Sequence, residues 1–165
     1  MKRMSRFSGK LVATALAVLS VFAFTGCMED LGETVGSTST GITYTISGNA
    51  SGAQVVPAVT GAGSATISGT YNTATNQLTY TSTWTGLTGA PTSAAFYSGA
   101  AGQAGTMIGS AWTLGTGVTA AGTHSGEVTL TEAQEADLIA GNWDYSIGTA
   151  TNANGEVRGQ ITATR

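Results

Sequence analysis

From residue 42 onward, hydrophobic and polar side chains alternate in short bursts. Ile42, Tyr44 and Ile46 fall on one side of an extended chain, and Thr43, Thr45 and Ser47 on the other. That is the period-two pattern of a strand with one buried face. The same alternation runs through Ala65, Ile67, Gly69 and Tyr71, breaks at a polar turn over residues 72–76, and resumes with Leu78, Tyr80, Ser82 and Trp84 opposite Thr79, Thr81 and Thr83. Two such runs around a short turn predict a hairpin. Further strands are expected over residues 93–98, 106–114, 124–130, 143–148 and 156–162. Between the third and fourth of these runs one short helix is expected: Thr131 stands as N-cap with Gln134 at capping-box spacing, and Gly141 sits where a left-handed residue stops a helix. Leu138 and Ile139 would dock it on the sheet. About seven strands with turn signals this regular predict an all-β fold, an antiparallel β-sandwich or flattened Greek-key barrel with one short helix.

Composition supports that reading. The 165 residues are 41% hydrophobic and only 9% charged, with 24 glycines. Polarity therefore comes from Thr, Ser and Asn, which suits strands and turns better than amphipathic helices with charged wet faces.

The first residues form a separate object. Lys2, Arg3, Arg6 and Lys10 precede an uncharged run, LVATALAVLSVFAF, over residues 11–24, which is followed by Thr25, Gly26 and the single cysteine, Cys27. A basic start, a short apolar run and small residues describe a secretory signal, and the run is shorter than the roughly 20 residues of a membrane span. FTGC resembles the lipobox of bacterial lipoproteins, departing from it at Phe24 and Thr25. The resemblance implies lipidation of Cys27, a signal peptide over residues 1–26, and membrane attachment through the N-terminal lipid. Residues 27–40 then read as a flexible, acidic, Gly/Ser/Thr-rich tether, and residues 41–165 as the β domain. Glu29 and Asp30 resemble the export signals of surface lipoproteins. The expected location is thus the bacterial cell envelope, an outer-membrane lipoprotein with a surface-exposed form open to it. With one cysteine no intrachain disulfide forms. Loss of the leader leaves two arginines against nine carboxylates, a net charge of −7, which argues against a nucleic-acid partner.

Charge reappears at the end of the chain, in TATNANGEVRGQIT. On a strand, Glu156, Arg158, Gln160 and Thr162 share one face, with Glu156 and Arg158 roughly 7 Å apart along it. They are expected to form a structural ion pair with each other or with a cross-strand partner.

Around this segment a family likeness emerges. The stretch SGAQVVPAVTGAGSATISGTYNTATNQLTYTSTWTGLTG, together with LTEAQEADLIAGNWDYSIGTATNANGEVRGQI, resembles the CHRD domain, the module named from chordin and found in many secreted bacterial proteins. The likeness covers residues 48–161, and QVVP, LTYTSTWTGL and GEVRGQI carry most of it. It implies a β-sandwich of the kind compared with copper/zinc superoxide dismutase, and secretion. Members often carry a His-x-His after the fourth strand and a further His near the final loop. The matching positions here are Ala95, Tyr97 and Gly148, none of which offers an imidazole.

Candidate chemistry is sparse. His124 and Ser125 are adjacent, and neighbours on a strand point to opposite faces, so no Ser-His dyad is expected. Asp144, Asn152, Asn154 and Glu156 offer oxygen ligands for calcium, but Asn-Ala-Asn-Gly is also ordinary turn chemistry. Trp84 and Trp143 sit on apolar faces and read as core. Tyr97 and Trp112, flanking a Gly/Ala-rich stretch over residues 99–105, are the candidate binding surface for a protein or glycan partner. The resulting expectation is a non-enzymatic, lipid-anchored binding or structural module with no catalytic residues, metal or cofactor. Two alternatives stand beside it: a metal-dependent enzyme on a superoxide-dismutase-like sandwich, and a carbohydrate-binding module.

Overall fold

A computed structural model describes residues 41–165; the expected leader, tether and Cys27 lie outside the described residues. Eight strands follow in chain order: β1 (Thr43–Ser51), β2 (Ser64–Asn72), β3 (Gln77–Thr85), β4 (Pro91–Ser98), β5 (Thr106–Ile108), β6 (Gly122–Thr129), β7 (Trp143–Thr149) and β8 (Val157–Thr164). A single 3-10 turn (Gly52–Gln54) follows β1, and one helix, α1 (Glu132–Ile139), precedes β7. All pairings are antiparallel, in the order β5-β4-β7-β8-β1-β2-β3-β6. The sheet curls into a half-barrel, bringing Tyr80 of β3 edge-on to Phe96 of β4 at a centroid distance of 4.8 Å. The all-β antiparallel architecture with one short helix is as the sequence pattern predicts.

Alternation decides the burial on β2 and β3. Ala65, Ile67, Tyr71, Leu78, Tyr80 and Trp84 are buried, while Thr66, Thr70, Thr79 and Thr83 stand on the outer face. The predicted hairpin forms in register, with Tyr71 opposite Leu78 and Ala65 opposite Trp84. At the seam between the two halves of the sheet, β1 pairs with β8, Gly48 opposite Ile161. The chains approach closely here: a Cβ on Gly159 would lie 2.5 Å from the Asn49 carbonyl oxygen, so the second glycine of GEVRGQ is a packing requirement.

Thr131 caps α1, its hydroxyl accepting from the Gln134 N–H while the Gln134 side chain accepts from the Thr131 N–H. Gly141, with φ of +77°, follows the helix as predicted. Leu138 is fully buried, but Ile139 remains 38% exposed; eight residues offer one narrow stripe to the sheet, and Ile139 lies beside it. The helix is also tied by the buried Tyr71, whose hydroxyl donates to Glu135 Oε2 at 2.8 Å. Burial and the Glu135 carboxylate push the Tyr71 phenol well above its usual range. Tyr71→Phe should lower stability by about 1 kcal/mol, read as a lower urea midpoint with an unchanged slope.

The strand expected over residues 106–114 is shorter than predicted. Gly109, at φ +65°, turns the chain after Ile108, and the following strap keeps only single contacts, among them the Trp112 N–H to the Ala94 carbonyl at 2.7 Å. The strap folds Trp112 inward, where its ring packs on Phe96 at 5.1 Å and on Tyr80 at 5.0 Å.

Candidate functional site

Strand β7 departs from simple alternation: six of its seven residues are buried and Ser146 is half-buried. Trp143, Tyr145 and Ile147 face the core, whereas Asp144 and Ser146 face outward, beneath a cover made by the segment after β1 and by residues 99–105. Register places Asp144 beside Tyr97 on β4 and Gln160 on β8, and Ser146 beside Arg158. This covered outer face is the candidate site.

At its floor lies the one ion pair among the described residues. Arg158 Nη2 donates to Asp144 Oδ2 at 2.7 Å, with side chains 8% and 1% exposed. The same nitrogen donates to the Gln103 carbonyl at 2.5 Å, and Nη1 reaches the Gln54 carbonyl at 3.4 Å. The hydrogen bond to Asp144 holds the guanidinium above its usual range against the opposing effect of burial.

Of the two arrangements expected, Glu156 and Arg158 do not pair with each other; Arg158 takes a cross-strand partner, Asp144. Glu156 precedes β8 and is turned to the other end of the β7–β8 hairpin. There its carboxylate accepts from the Thr88 N–H, the Thr88 hydroxyl and the Thr149 hydroxyl, each at 2.6 Å. Asp144 is the better partner for Arg158 because it lies across the strand pair on the same face. Gln160 extends the pattern, donating to the carbonyls of Gly99 at 3.0 Å and Gly141 at 2.8 Å. Alternate residues of GEVRGQ thus each hold different loops: Glu156 the β3–β4 connection, Arg158 the segments around Gln54 and Gln103, and Gln160 the turns at Gly99 and Gly141.

Above the ion pair opens a cavity of about 130 Å³, lined in part by Val55, Val56, Tyr97, Asp144, Asn154 and Arg158. A second, of about 250 Å³, shares Val55, Val56 and Arg158 with it. Val56 is 46% exposed, and Met107, directly opposite Tyr97 on β5, is 48% exposed. The rim is thus apolar and aromatic while the floor is charged and paired.

Of the two residues expected to form a binding surface, the structure places only Tyr97 at this cleft. Trp112 belongs to the core, 8% exposed, with its ring stacked on His124 at 5.3 Å and 13°. Its place beside the Gly/Ala-rich stretch over residues 99–105 suggests a binding surface; the strap's fold back onto β4, with the Trp112 N–H on the Ala94 carbonyl, overrides that. His124 is half-buried, with Nε2 3.4 Å from the Tyr80 hydroxyl, and burial lowers its pKa from the usual 6.5. Ser125 points the opposite way, its hydroxyl 2.8 Å from that of Thr81, so the two do not converge.

Metal ligation fares no better geometrically. The carboxylates of Asp144 and Glu156 are spent on different partners, and among the described residues no three His, Cys, Asp or Glu side chains cluster around a common point. Of the three positions where family members often carry histidine, two hold Ala95 and Tyr97, and the third, Gly148, has no room for a side chain: a Cβ there would lie 2.6 Å from Ser93 Oγ and 2.9 Å from the Ala153 carbonyl oxygen. The residues present do not fit an imidazole-bound metal.

Sequence reasoning missed Asp144 as the partner of Arg158, and Thr88 and Thr149 as the partners of Glu156. One signal was available. Asp144 is an acid inside an otherwise apolar strand pattern, in a chain with only two arginines after the leader, and a buried acid requires a partner.

Fold and site together define an antiparallel β module with a covered polar cleft rather than a convergent set of reactive groups. The model of the CHRD domain matches residues 46–161, and the chain belongs to the CHRD domain family. No curated protein and no solved structure matches the chain. Family membership points to a binding or structural module.

Proposed function

We propose that this protein is a non-enzymatic, lipid-anchored module of the bacterial envelope that binds an extracellular or periplasmic partner through the cleft over Asp144 and Arg158. The observation that carries the reading is the rim: Val56 and Tyr97 leave apolar and aromatic surface around a pre-formed cavity whose own charges are already paired, and Met107, paired with Tyr97 on β5, extends that exposed surface beside it. Aromatic and Met side chains beside a desolvated Arg are the composition of binding hot spots. Anchorage rests on the basic and apolar start of the chain and on Cys27.

Two measurements test the two halves of this reading. Cys27→Ser should move the protein from the detergent phase to the aqueous phase on phase separation; unchanged partitioning would remove the lipid anchor. Val56→Asp and Tyr97→Ala should each abolish retention of the full chain on insoluble cell-wall material while leaving its melting temperature within a few degrees. Equal retention of both variants and the parent would show that the cleft is not the binding face.

A further inference from the structure

Resting on that reading, we infer that the cleft over Asp144 and Arg158 recognises an acetamido group, as presented by N-acetylated amino sugars. The argument begins with the guanidinium. Of its five N–H donors, the two on Nη2 are spent on Asp144 Oδ2 and the Gln103 carbonyl, with the Ala100 carbonyl a further, long contact at 3.5 Å, and Nη1 makes one long contact with the Gln54 carbonyl. Nε–H and the second Nη1–H have no acceptor among the described residues, and neither does Asp144 Oδ1 have a donor. Among the described residues the sealed and unpartnered polar side-chain atoms are Ser82 Oγ, Trp112 Nε1 and Trp143 Nε1, all outside this cleft. Arg158 Nε and Asp144 Oδ1 are not among them, so each keeps a narrow opening, and the cavity that both residues line lies over it.

A floor with free donors and a free acceptor side by side is the complement of an amide, whose carbonyl accepts while its N–H donates. Charge argues the same way. Asp144 cancels Arg158 at 2.7 Å, so an anion meets repulsion from Asp144 and a cation meets it from Arg158, leaving a neutral dipole as the favoured guest. The wall is apolar, from Val55, Val56 and Ala104, which suits a methyl group. Size selects among amides: at about 130 Å³ the cavity is slightly smaller than the roughly 150 Å³ cavity that holds benzene in an engineered protein. It admits a terminal group of a few heavy atoms rather than a chain continuing in both directions. Tyr97, half-buried at the rim, offers a ring face against which a sugar can stack.

The test is calorimetric titration of the full chain with short oligomers of N-acetylglucosamine, glucosamine and glucose, and with a short N-acetylated peptide. Binding of the acetylated sugar, at least roughly tenfold tighter than either other sugar, is expected. Ala104→Leu, which fills the cavity from the exposed loop side, should abolish it with the melting temperature unchanged. Equal binding of acetylated and non-acetylated sugars would overturn the acetamido assignment yet leave the cleft as a glycan site. Tighter binding of the acetylated peptide would overturn the sugar source. No binding of any probe would overturn the inference alone if Val56→Asp still abolishes cell-wall retention, and both readings if it does not.

Discussion

Arg158→Met is expected to cost the folded domain about 3–5 kcal/mol, because it removes the cation from a carboxylate that is 1% exposed and leaves that charge uncompensated. Met preserves much of the volume of the side chain, so the loss isolates charge and hydrogen bonding from packing. The substitution also releases the carbonyls of Gln103 and Gln54, and the segments they anchor should exchange amide hydrogens faster than the β1–β3 core. The double variant Asp144→Leu with Arg158→Met should recover most of the lost stability, since removing both partners abolishes the unpaired charge. Urea unfolding followed by tryptophan fluorescence reads both results. A loss below about 1 kcal/mol for Arg158→Met would place the pair among exposed surface bridges and contradict the burial described above.

That expectation differs in its partner from the one the sequence suggests, and the reason is physical. Alternation identifies which side chains share a face, as it does for Ile46, Ile67, Leu78 and Trp84 with Thr45, Thr66, Thr79 and Thr83 opposite. It does not identify which outer face is later covered. The outer face of β1, β2 and β3 stays wet, whereas that of β7 and β8 is covered by chain distant in sequence; Arg158 and Gln54 are 104 residues apart. Local pattern carries no trace of that closure, so Glu156 and Arg158 read as neighbours on one surface rather than as separate anchors at two ends of a hairpin.

Where structure follows from near neighbours, the sequence was legible. The β2–β3 hairpin, the Thr131–Gln134 capping box and the Gly141 stop all depend on residues within a few positions of one another. Trp112 and Ile139 illustrate the opposite case. One is buried by a strap that turns at Gly109, the other left out by a helix too short to bury a second row. The cleft itself was half legible: Tyr97 was singled out, while Val55 and Val56 stood out only as part of the QVVP motif, with no chemistry of their own to mark them as the wall of a cleft.

Glu156→Gln is expected to lower stability by about 1.5–3 kcal/mol near neutral pH, the worth of hydrogen bonds to a charged acceptor, and to change how stability depends on acid. Burial pushes the Glu156 carboxyl up, but the hydroxyls of Thr149 and Thr88, the Thr88 N–H and the Asn152 side chain together outweigh it and hold the pKa below its usual 4.5. A folded-state pKa below the unfolded value means that the unfolded chain binds the proton more readily. The stabilisation is therefore fully present above about pH 4.5 and is lost as pH falls through the folded-state value. Glutamine cannot titrate, so the stability gap between parent and variant should be constant from pH 7 down to about pH 5 and narrow below it. Thr149→Val removes one of the three donors within 2.6 Å of the carboxylate and should weaken the acid response without abolishing it. A gap that widened on acidification would mean that the carboxyl is held protonated in the fold, and the β3–β4 connection would then be anchored by an acid acting as donor.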